Sequence, residues 1–155
     1  MAEHRYELTV EWTGDRGTGT RSYAGYGRDH IVSATGRPKI RGSSDPSFHG
    51  EDSRWNPEQL FVASLSQCHM LWFLHLCADA GVVVLEYVDR PVGTMHTGPG
   101  GAGEFRDVLL RPSVVVADPD SVGQAPGLHA EAHQRCFIAR SVTCPVRHEP
   151  TTVAR

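Results

Sequence analysis

The sequence predicts an α+β fold in which antiparallel strands surround one long apolar helix. The central segment, residues 59–78, contains no Asp, Glu, Lys or Arg, and segments with the alternating pattern of strands lie on both sides of it. A shorter helical segment follows nearer the C-terminus. This order of strands, helix, strands, helix and strand is typical of α+β proteins. With 155 residues, the chain is long enough for one domain with its own core, and we expect a single domain over residues 1–155.

The N-terminal region reads as three strands followed by a long loop. Residues 6–12, "YELTVEW", alternate and carry β-forming side chains, and residues 21–34 predict a second strand after a Gly-rich turn. "TGRPKI" predicts another turn leading into a short strand. The polar residues 41–55 show no period and form a loop long enough to suggest a functional role.

The central apolar segment carries signals for both ends of a helix. Asn56 suits the N-cap, Pro57 the first helical position, and Glu58 the second, where a negative charge is favourable. Gly81 is a typical residue just beyond a helix C-terminus. Six polar or ionisable residues interrupt the segment and no positively charged stretch flanks it, so we do not expect it to span a membrane.

This helix is apolar on nearly every face, which bears on assembly. A helix at a protein surface has one apolar stripe, whereas a helix that is apolar all round must be covered on every side. One sheet and one short helix cannot easily supply that cover. We therefore expect a homodimer in which two long helices pack at the centre. The alternative is a monomer whose helix lies between sheets.

The C-terminal half predicts three strands and one helix. "VVVLEYVDRPVG" and "EFRDVLLRPSVVVA" each read as one strand. A second helix is expected at about Leu128–Arg140, after a loop rich in Pro and Gly. "SVTCPVRHEPTTV" then reads as a terminal edge strand.

Composition excludes some functions and sets the expected state of the thiols. Fifteen basic and eighteen acidic residues give a net charge of −3, and no basic run indicates nucleic-acid binding. The first residues lack the apolar segment of a secretory signal, so we expect a cytoplasmic protein. In that compartment structural disulfides are rare, and the four cysteines would be free thiols, metal ligands or redox-active groups.

The cysteine spacing separates one thiol from the rest. Cys68 lies in the middle of the apolar helix, and it would be reactive only if a cation elsewhere in the fold lowered its pKa. Cys77 follows nine residues later, about 13.5 Å along the helix and on its opposite face. That geometry forbids a disulfide, so Cys77 is expected in the core, and Cys136 or Cys144 would be the partner of Cys68.

The sequence gives little support for a metal or a cofactor. There is no C-x-x-C or H-E-x-x-H motif. His133 and Cys136 at i, i+3 would form only half of a zinc site. We expect neither a bound metal nor a cofactor.

Two motifs resemble those of the OsmC/Ohr family of organic hydroperoxide reductases. "NPEQLFVASLSQC" resembles the family signature, in which Asn-Pro-Glu is followed by an apolar run and a reactive Cys ten residues after the Glu. "AHQRC" resembles the segment that carries the second cysteine, and the order of elements also matches along nearly the whole chain. The resemblance implies an intertwined α+β homodimer with two sites at the subunit interface.

The resemblance also implies a role for several residues. Cys68 would be the peroxidatic thiolate, Cys136 the resolving cysteine, and Glu58 the carboxylate that orients an arginine. The substrate would be an organic hydroperoxide, and a lipoyl-type or thioredoxin-like dithiol would reduce the resulting disulfide. Apolar side chains would favour organic peroxides over hydrogen peroxide: Phe61, Leu65, Leu71, Trp72 and Phe137.

The sequence departs from the family pattern at two places. The residues that supply the arginine in the family do not match, and the best candidate is Arg28 in "GYGRDH", followed by Arg54 and Arg16. A Pro usually follows the resolving cysteine, but here Pro follows Cys144, which stays an alternative to Cys136. Two other functions stay open: non-catalytic binding of a small apolar ligand at the dimer interface, and a thiol redox sensor.

A spacing problem accompanies the predicted role of Glu58. In a straight helix, Glu58 and Cys68 lie about 15 Å apart along the axis. They could serve one site only if the helix kinks or if the two chains of a dimer contribute different members.

Overall fold

The computed structural model describes residues 1–155 and confirms the α+β fold class. The chain divides into two compact units, Met1–Leu60 and Phe61–Arg155. Nine β-strands are distributed over three three-stranded sheets, and the long helix α1 (Pro57–Asp79) crosses the boundary between the units in sequence. The expectation of one domain over the whole chain stays a prediction.

The first unit contains an antiparallel sheet in the order β1-β2-β3. Its strands are β1 (Thr9–Trp12), β2 (His30–Ser33) and β3 (Ile40–Gly42). Strand β2 begins at His30 and not at residue 21 as predicted. The preceding residues instead form turns. The Gly25 N–H donates to the Ser22 carbonyl. The Arg28 guanidinium donates to the carbonyls of Tyr23 and Tyr26.

Both predicted ends of α1 are confirmed, because each is set by local hydrogen bonding. The Asn56 side chain accepts from the Gln59 N–H at 2.8 Å, and the Gln59 side chain accepts from the Asn56 N–H at 3.1 Å, as in a capping box. At the other end Gly81 has φ +72°, and the Val82 N–H reaches the Cys77 carbonyl at 2.8 Å. This is the Schellman arrangement that a C′ glycine permits.

The second unit has two core clusters on α1. Near the C-terminal end of the helix, Phe73, Leu76 and Cys77 pack with buried side chains of the following strands and the second helix. Nearer its start, Leu65 packs with Val108 and Leu110. Leu71, by contrast, is 60% exposed in the single chain. Helix α1 has the length and hydropathy of a membrane span, and the core helix of a soluble protein shares both properties.

Two sheets with both parallel and antiparallel strand pairs complete the second unit. Their orders are β4-β7-β9 and β5-β6-β8, and β8 and β9 each pair in parallel at an edge. The strands are β4 (Val84–Asp89), β5 (Val92–Thr97), β6 (Gly103–Leu110), β7 (Pro112–Val116), β8 (Val146–His148) and β9 (Thr151–Ala154).

Each of the two long strands predicted in this half is in fact a pair of strands in different sheets. The breaks lie at residues 90–91 and at Arg111. The Asp89 carboxylate joins them, since it accepts the Arg111 N–H at 2.7 Å and the hydroxyl of Ser66 on α1. Pro91 lies within the first break and Pro112 directly follows the second, and a proline lacks the N–H needed to continue a ladder. The predicted terminal edge strand is likewise two short strands, β8 and β9.

The second helix begins and ends earlier than predicted. Helix α2 spans Ala125–Arg135, and Cys136 has an extended backbone with φ −62° and ψ 112°. A short 3-10 turn at Ala139–Ser141 follows. Cys136 is therefore the first residue beyond α2 and not part of a helix that reaches Arg140.

Candidate active site

The structure brings Cys68 of α1 and Cys136 at the end of α2 together. Cys136 is 1% exposed, while Cys68 is half-buried. Burial, together with a hydrogen bond to the Cys68 side chain, raises the pKa of the Cys136 thiol to about 11. The Ala139 N–H also points to the Cys136 sulfur at 3.4 Å. At neutral pH, Cys136 therefore keeps its proton beside the more accessible Cys68.

Aromatic contacts around the two thiols support their proximity independently. Trp72 lies one helical turn after Cys68 on the same face of α1. Its ring meets that of Phe137 edge-on at a centroid distance of 5.5 Å, and the Arg135 guanidinium lies 5.6 Å from the Trp72 ring centroid. Trp72 thus contacts the residues on both sides of Cys136.

The other two cysteines lie elsewhere. Cys77 is buried among Phe73 and Leu76, and burial raises the pKa of its thiol to about 11. This placement agrees with the opposite-face argument for Cys77. Cys144 is half-buried, packs beside the Leu65 cluster and lines a surface pocket with Arg106.

Glu58 presents a buried carboxylate oxygen without a hydrogen-bond partner. Its Oε2 is inaccessible to solvent and unpaired, and no arginine of the chain forms an ion pair with it. Leaving a buried acceptor unpaired is costly, and more so when it is charged. This oxygen therefore has room for a donor that the single chain does not provide, and the role of Glu58 as the carboxylate that orients an arginine stays a prediction.

The three candidate arginines are all engaged or located within the first unit. The Arg28 guanidinium donates to the backbone carbonyls of Tyr23 and Tyr26 and lies 3.9 Å from the Tyr26 ring centroid. Arg54 pairs with Asp29 at 3.1 Å. Arg16 is exposed and lines the same polar pocket as Arg28 and Asp29. None of them reaches Glu58 in the single chain, so the choice of Arg28 stays a prediction.

Apolar side chains close to the thiols differ in exposure. Leu65 is fully buried, and Trp72 is half-buried. The Phe61 ring packs against that of Phe105 at a centroid distance of 4.6 Å and a tilt of 34°. Leu71 and Phe137 remain exposed. Leu71, three residues after Cys68 on α1, and Phe137, next to Cys136, therefore expose apolar side chains near the cysteine pair in sequence.

Sequence reasoning missed a cluster of four histidines in the second unit, composed of His69, His129, His133 and His148. His69 Nε2 and His129 Nδ1 are 2.9 Å apart, and both side chains are almost fully buried. The only sequence signal was His69 within an apolar segment, and its partners lie about 60 or more residues away on other elements. No group of three or more such side chains is arranged to hold a metal ion.

Comparisons with known proteins give one family and one fold. A family model described as OsmC-like protein matches residues 50–151. An OsmC-like protein of unknown function from Vibrio cholerae is similar at 33% identity and a TM-score of 0.84, over 97% of this chain and 99% of that chain. No curated protein shows significant similarity to the chain.

Two more distant structures share the fold. An organic hydroperoxide resistance protein OsmC from Legionella pneumophila is 18% identical with a TM-score of 0.67, over 97% of this chain and 98% of its own. An organic hydroperoxide resistance protein from Elizabethkingia anophelis is 17% identical with a TM-score of 0.66, over 99% and 100%. At these identities the likeness concerns the fold alone.

The family match spans more than half of the chain and includes Glu58, Cys68 and Cys136. The structure of α1 and of the end of α2 agrees with the two motifs that carried the resemblance. The chain therefore belongs to the family of OsmC-like proteins.

Proposed function

We propose that this protein reduces organic hydroperoxides to alcohols with Cys68 as the peroxidatic thiol and Cys136 as the resolving thiol. The observation that carries the proposal is the contact between these two sulfurs, one half-exposed and one buried and protonated. Two proteins of the same fold are named for organic hydroperoxide resistance, which agrees with this chemistry. We place the reaction in the cytoplasm, where dithiol reductants are maintained.

The reaction proceeds in three balanced steps. The Cys68 thiolate attacks the outer peroxide oxygen, the O–O bond breaks, and the alkoxide takes a proton to leave as the alcohol. The Cys136 sulfur then attacks the resulting sulfenic acid, the S–O bond breaks, and the Cys136 proton leaves with the hydroxyl as water. A lipoyl-type or thioredoxin-like dithiol restores both thiols by exchange and is itself oxidised to a disulfide.

A cation beside Cys68 belongs to this proposal. On the family resemblance, an arginine anchored by Glu58 stabilises the thiolate and the departing alkoxide, and Arg28 is the first candidate before Arg54 and Arg16. The unpaired buried oxygen of Glu58 supports this anchoring role. Because α1 runs without interruption from Pro57 to Asp79, we propose that the two chains of a dimer contribute different members to each site.

The exposed apolar residues support such a homodimer. Leu71 on α1 is largely exposed in the single chain, as are several residues in and before β1: Tyr6, Leu8, Val10 and Trp12. The four residues in and before β1 alternate along the chain, and a group of exposed apolar side chains is typical of an interface. Phe137 and Trp72 beside the cysteines would in turn favour an organic peroxide over hydrogen peroxide.

The lack of an arginine on Glu58 in the single chain keeps a second function open. Without that cation, the apolar surface near Cys68 would bind a small apolar ligand and Cys68 would react slowly. A redox sensor is the third possibility, and it would oxidise once without turning over with any dithiol.

Thiol counting after addition of cumene hydroperoxide tests the proposal. We expect the reduced protein to lose the Cys68 and Cys136 thiols rapidly and to regain them with a dithiol. Cys68→Ser should lose no thiol, and Cys136→Ser should stop at a sulfenic acid that dimedone traps. Cys144→Ser is the matched control and should behave like the wild type. If the wild type loses no thiols, the apolar-ligand function is favoured instead.

A further inference from the structure

A buried polar contact joins α1, which carries Cys68, to α2, which ends just before Cys136. His69 of α1 and His129 of α2 meet through Nε2 and Nδ1 at 2.9 Å, and their rings are parallel, with an interplanar angle of 4°. Both residues are at most 1% exposed. The contact therefore fixes one point of α1 against one point of α2.

The same residues are closely linked to the cysteines in sequence. His69 directly follows Cys68 on α1. His129 lies on α2 seven residues before Cys136, which is the first residue beyond the end of that helix. His129 contacts His69 of α1, and the Cys136 thiol contacts Cys68 of the same helix. A shift or rotation of α2 at His129 is thus transmitted to the residue just beyond its end.

Packing around the pair leaves little freedom. The Phe73 ring stacks on His129 at a centroid distance of 3.8 Å and an angle of 9°. His148 lies across both rings at 5.4 and 6.3 Å, and His133 lies 5.5 Å from His148. Burial and the neighbouring histidines lower the pKa of His69 to about 4 and that of His129 to about 3. Both rings are therefore neutral near pH 7, so one nitrogen donates and the other accepts.

We propose that the His69–His129 hydrogen bond is a positioning device that holds Cys136 at the distance from Cys68 required for a disulfide. The inference deepens the proposed function and rests on its pairing of these two thiols. A disulfide tolerates only a narrow range of Cα–Cα separation. Cys136 lies beyond the last turn of α2, so the seating of that helix on α1 sets how often the two sulfurs are in reach.

A directional contact serves this purpose better than an apolar one. Leu side chains at both positions would fill the same space but would tolerate sliding between the helices, whereas a hydrogen bond weakens steeply with misalignment. The alternative is that the two histidines only fill the core. The two explanations differ in one expectation. A side-chain amide that reaches the position of the lost ring nitrogen should restore the disulfide equilibrium only if the hydrogen bond matters.

Thiol–disulfide equilibrium with dithiothreitol on the full-length protein tests the inference. Oxidised dithiothreitol forms the Cys68–Cys136 disulfide and is itself reduced, so no peroxide is required. We expect His129→Leu to lower the equilibrium constant for the protein disulfide by about tenfold or more. His129→Asn places an amide where Nδ1 stood, and it should stay within about threefold of wild type.

A second pair of variants, at His69, tests the same inference if His129→Leu does not fold. His69→Gln places its amide near the original Nε2, whereas His69→Asn falls one bond short. The inference predicts a near-native constant for His69→Gln and a reduced one for His69→Asn. Equal constants within both pairs, in folded proteins, would overturn it, because the histidines would then only fill space.

The outcome is distinguishable from failure of the proposed function. In one outcome, the wild type fails to reduce cumene hydroperoxide while its equilibrium constant with dithiothreitol depends on His129. That result would contradict the proposed peroxide reduction and support the positioning role. If the wild type reduces peroxide and the variants share its equilibrium constant, the function stands and the positioning role fails. Single-turnover kinetics add a third readout, since His129→Leu should prolong the life of the sulfenic acid without slowing its formation.

Discussion

The reactivity of each cysteine depends on what surrounds its sulfur. Burial raises the pKa of both Cys77 and Cys136 to about 11, but only Cys136 contacts Cys68. The inert position of Cys77 was predictable because spacing on a helix fixes its face. The choice between Cys136 and Cys144 was not, since it depends on where the end of α2 lies in the fold.

At the residue scale, Cys77→Ser should keep peroxide turnover and lower stability. The serine hydroxyl would be buried among apolar side chains without a partner, which costs about 1–3 kcal/mol of the free energy of unfolding. Urea unfolding and steady-state peroxide assays measure the two effects. Cys68→Ser is the opposite control, with stability kept and turnover abolished. Loss of turnover in a folded Cys77→Ser protein would contradict the opposite-face argument.

Glu58→Ala should slow peroxide reduction by about tenfold or more in kcat/KM, because the arginine that we propose beside Cys68 would lose its anchor. The fold should survive, since the buried oxygen has no partner in the single chain to lose. Peroxide kinetics and circular dichroism check the two statements. Glu86→Ala, which removes an exposed carboxylate, is the control and should be neutral. If Glu58→Ala keeps nearly wild-type activity, Glu58 serves only as a negative charge at the start of α1.

At the scale of elements, local sequence signals predicted the ends of the long helix, but the sequence did not predict how the strands pair. The capping box at Asn56 and the glycine stop at Gly81 are contacts within a few residues, so the bounds of α1 followed from the sequence. The strand breaks before Pro91 and Pro112 were missed, because the alternation is the same on both sides. Which sheet each half joins is decided by tertiary pairing.

The buried histidines between α1 and α2 predict that the folded protein loses stability in acid. The pKa values of His69 and His129 lie below the ordinary 6.5, with His148 and His133 as the titratable neighbours. The unfolded state therefore binds more protons below about pH 6.5, so stability is full above that pH and falls as the pH drops toward 4. We expect Tm to fall by about 5 °C or more between pH 7 and pH 4.5.

Thermal unfolding followed by circular dichroism over this range measures the effect. His129→Asn removes one of the depressed pKa values and should flatten the pH dependence. His75→Gln is the control, because it removes an exposed histidine of α1 outside the buried cluster, and its curve should parallel the wild type. A wild-type Tm that is constant from pH 7 to pH 4.5 would show that the buried pair is not neutral in the folded protein.

At the scale of the whole molecule, an apolar helix has more surface than its own chain covers. The second unit buries one side of α1, including Leu65 and Phe73, while Leu71 stays exposed. The sequence predicted this excess of apolar surface, and the single chain does not remove it. A second copy is the occupant that we propose, as in the family resemblance.

Leu71→Glu should therefore prevent dimer formation, because it places a charge where two α1 helices are proposed to pack. Sedimentation should give twice the 17.0 kDa chain mass for the wild type and the single-chain mass for the variant. Asp120→Lys, a larger change of charge on an exposed turn, should leave the dimer intact. A wild type that sediments as a single chain would remove the dimer and the shared site together.

The sequence by itself determined the α+β class, the bounds of the long helix and the motifs around Glu58, Cys68 and Cys136. These depend on periodicity, caps and spacing, which act over a few residues. Only the tertiary structure decided that Cys136 meets Cys68, that His129 meets His69, and that the long strands divide between two sheets. The two side-chain contacts join residues 68 and 60 positions apart (136 − 68 and 129 − 69), and the strand pairs join different segments of the chain. Their geometry is set by how helices and sheets pack and not by local pattern.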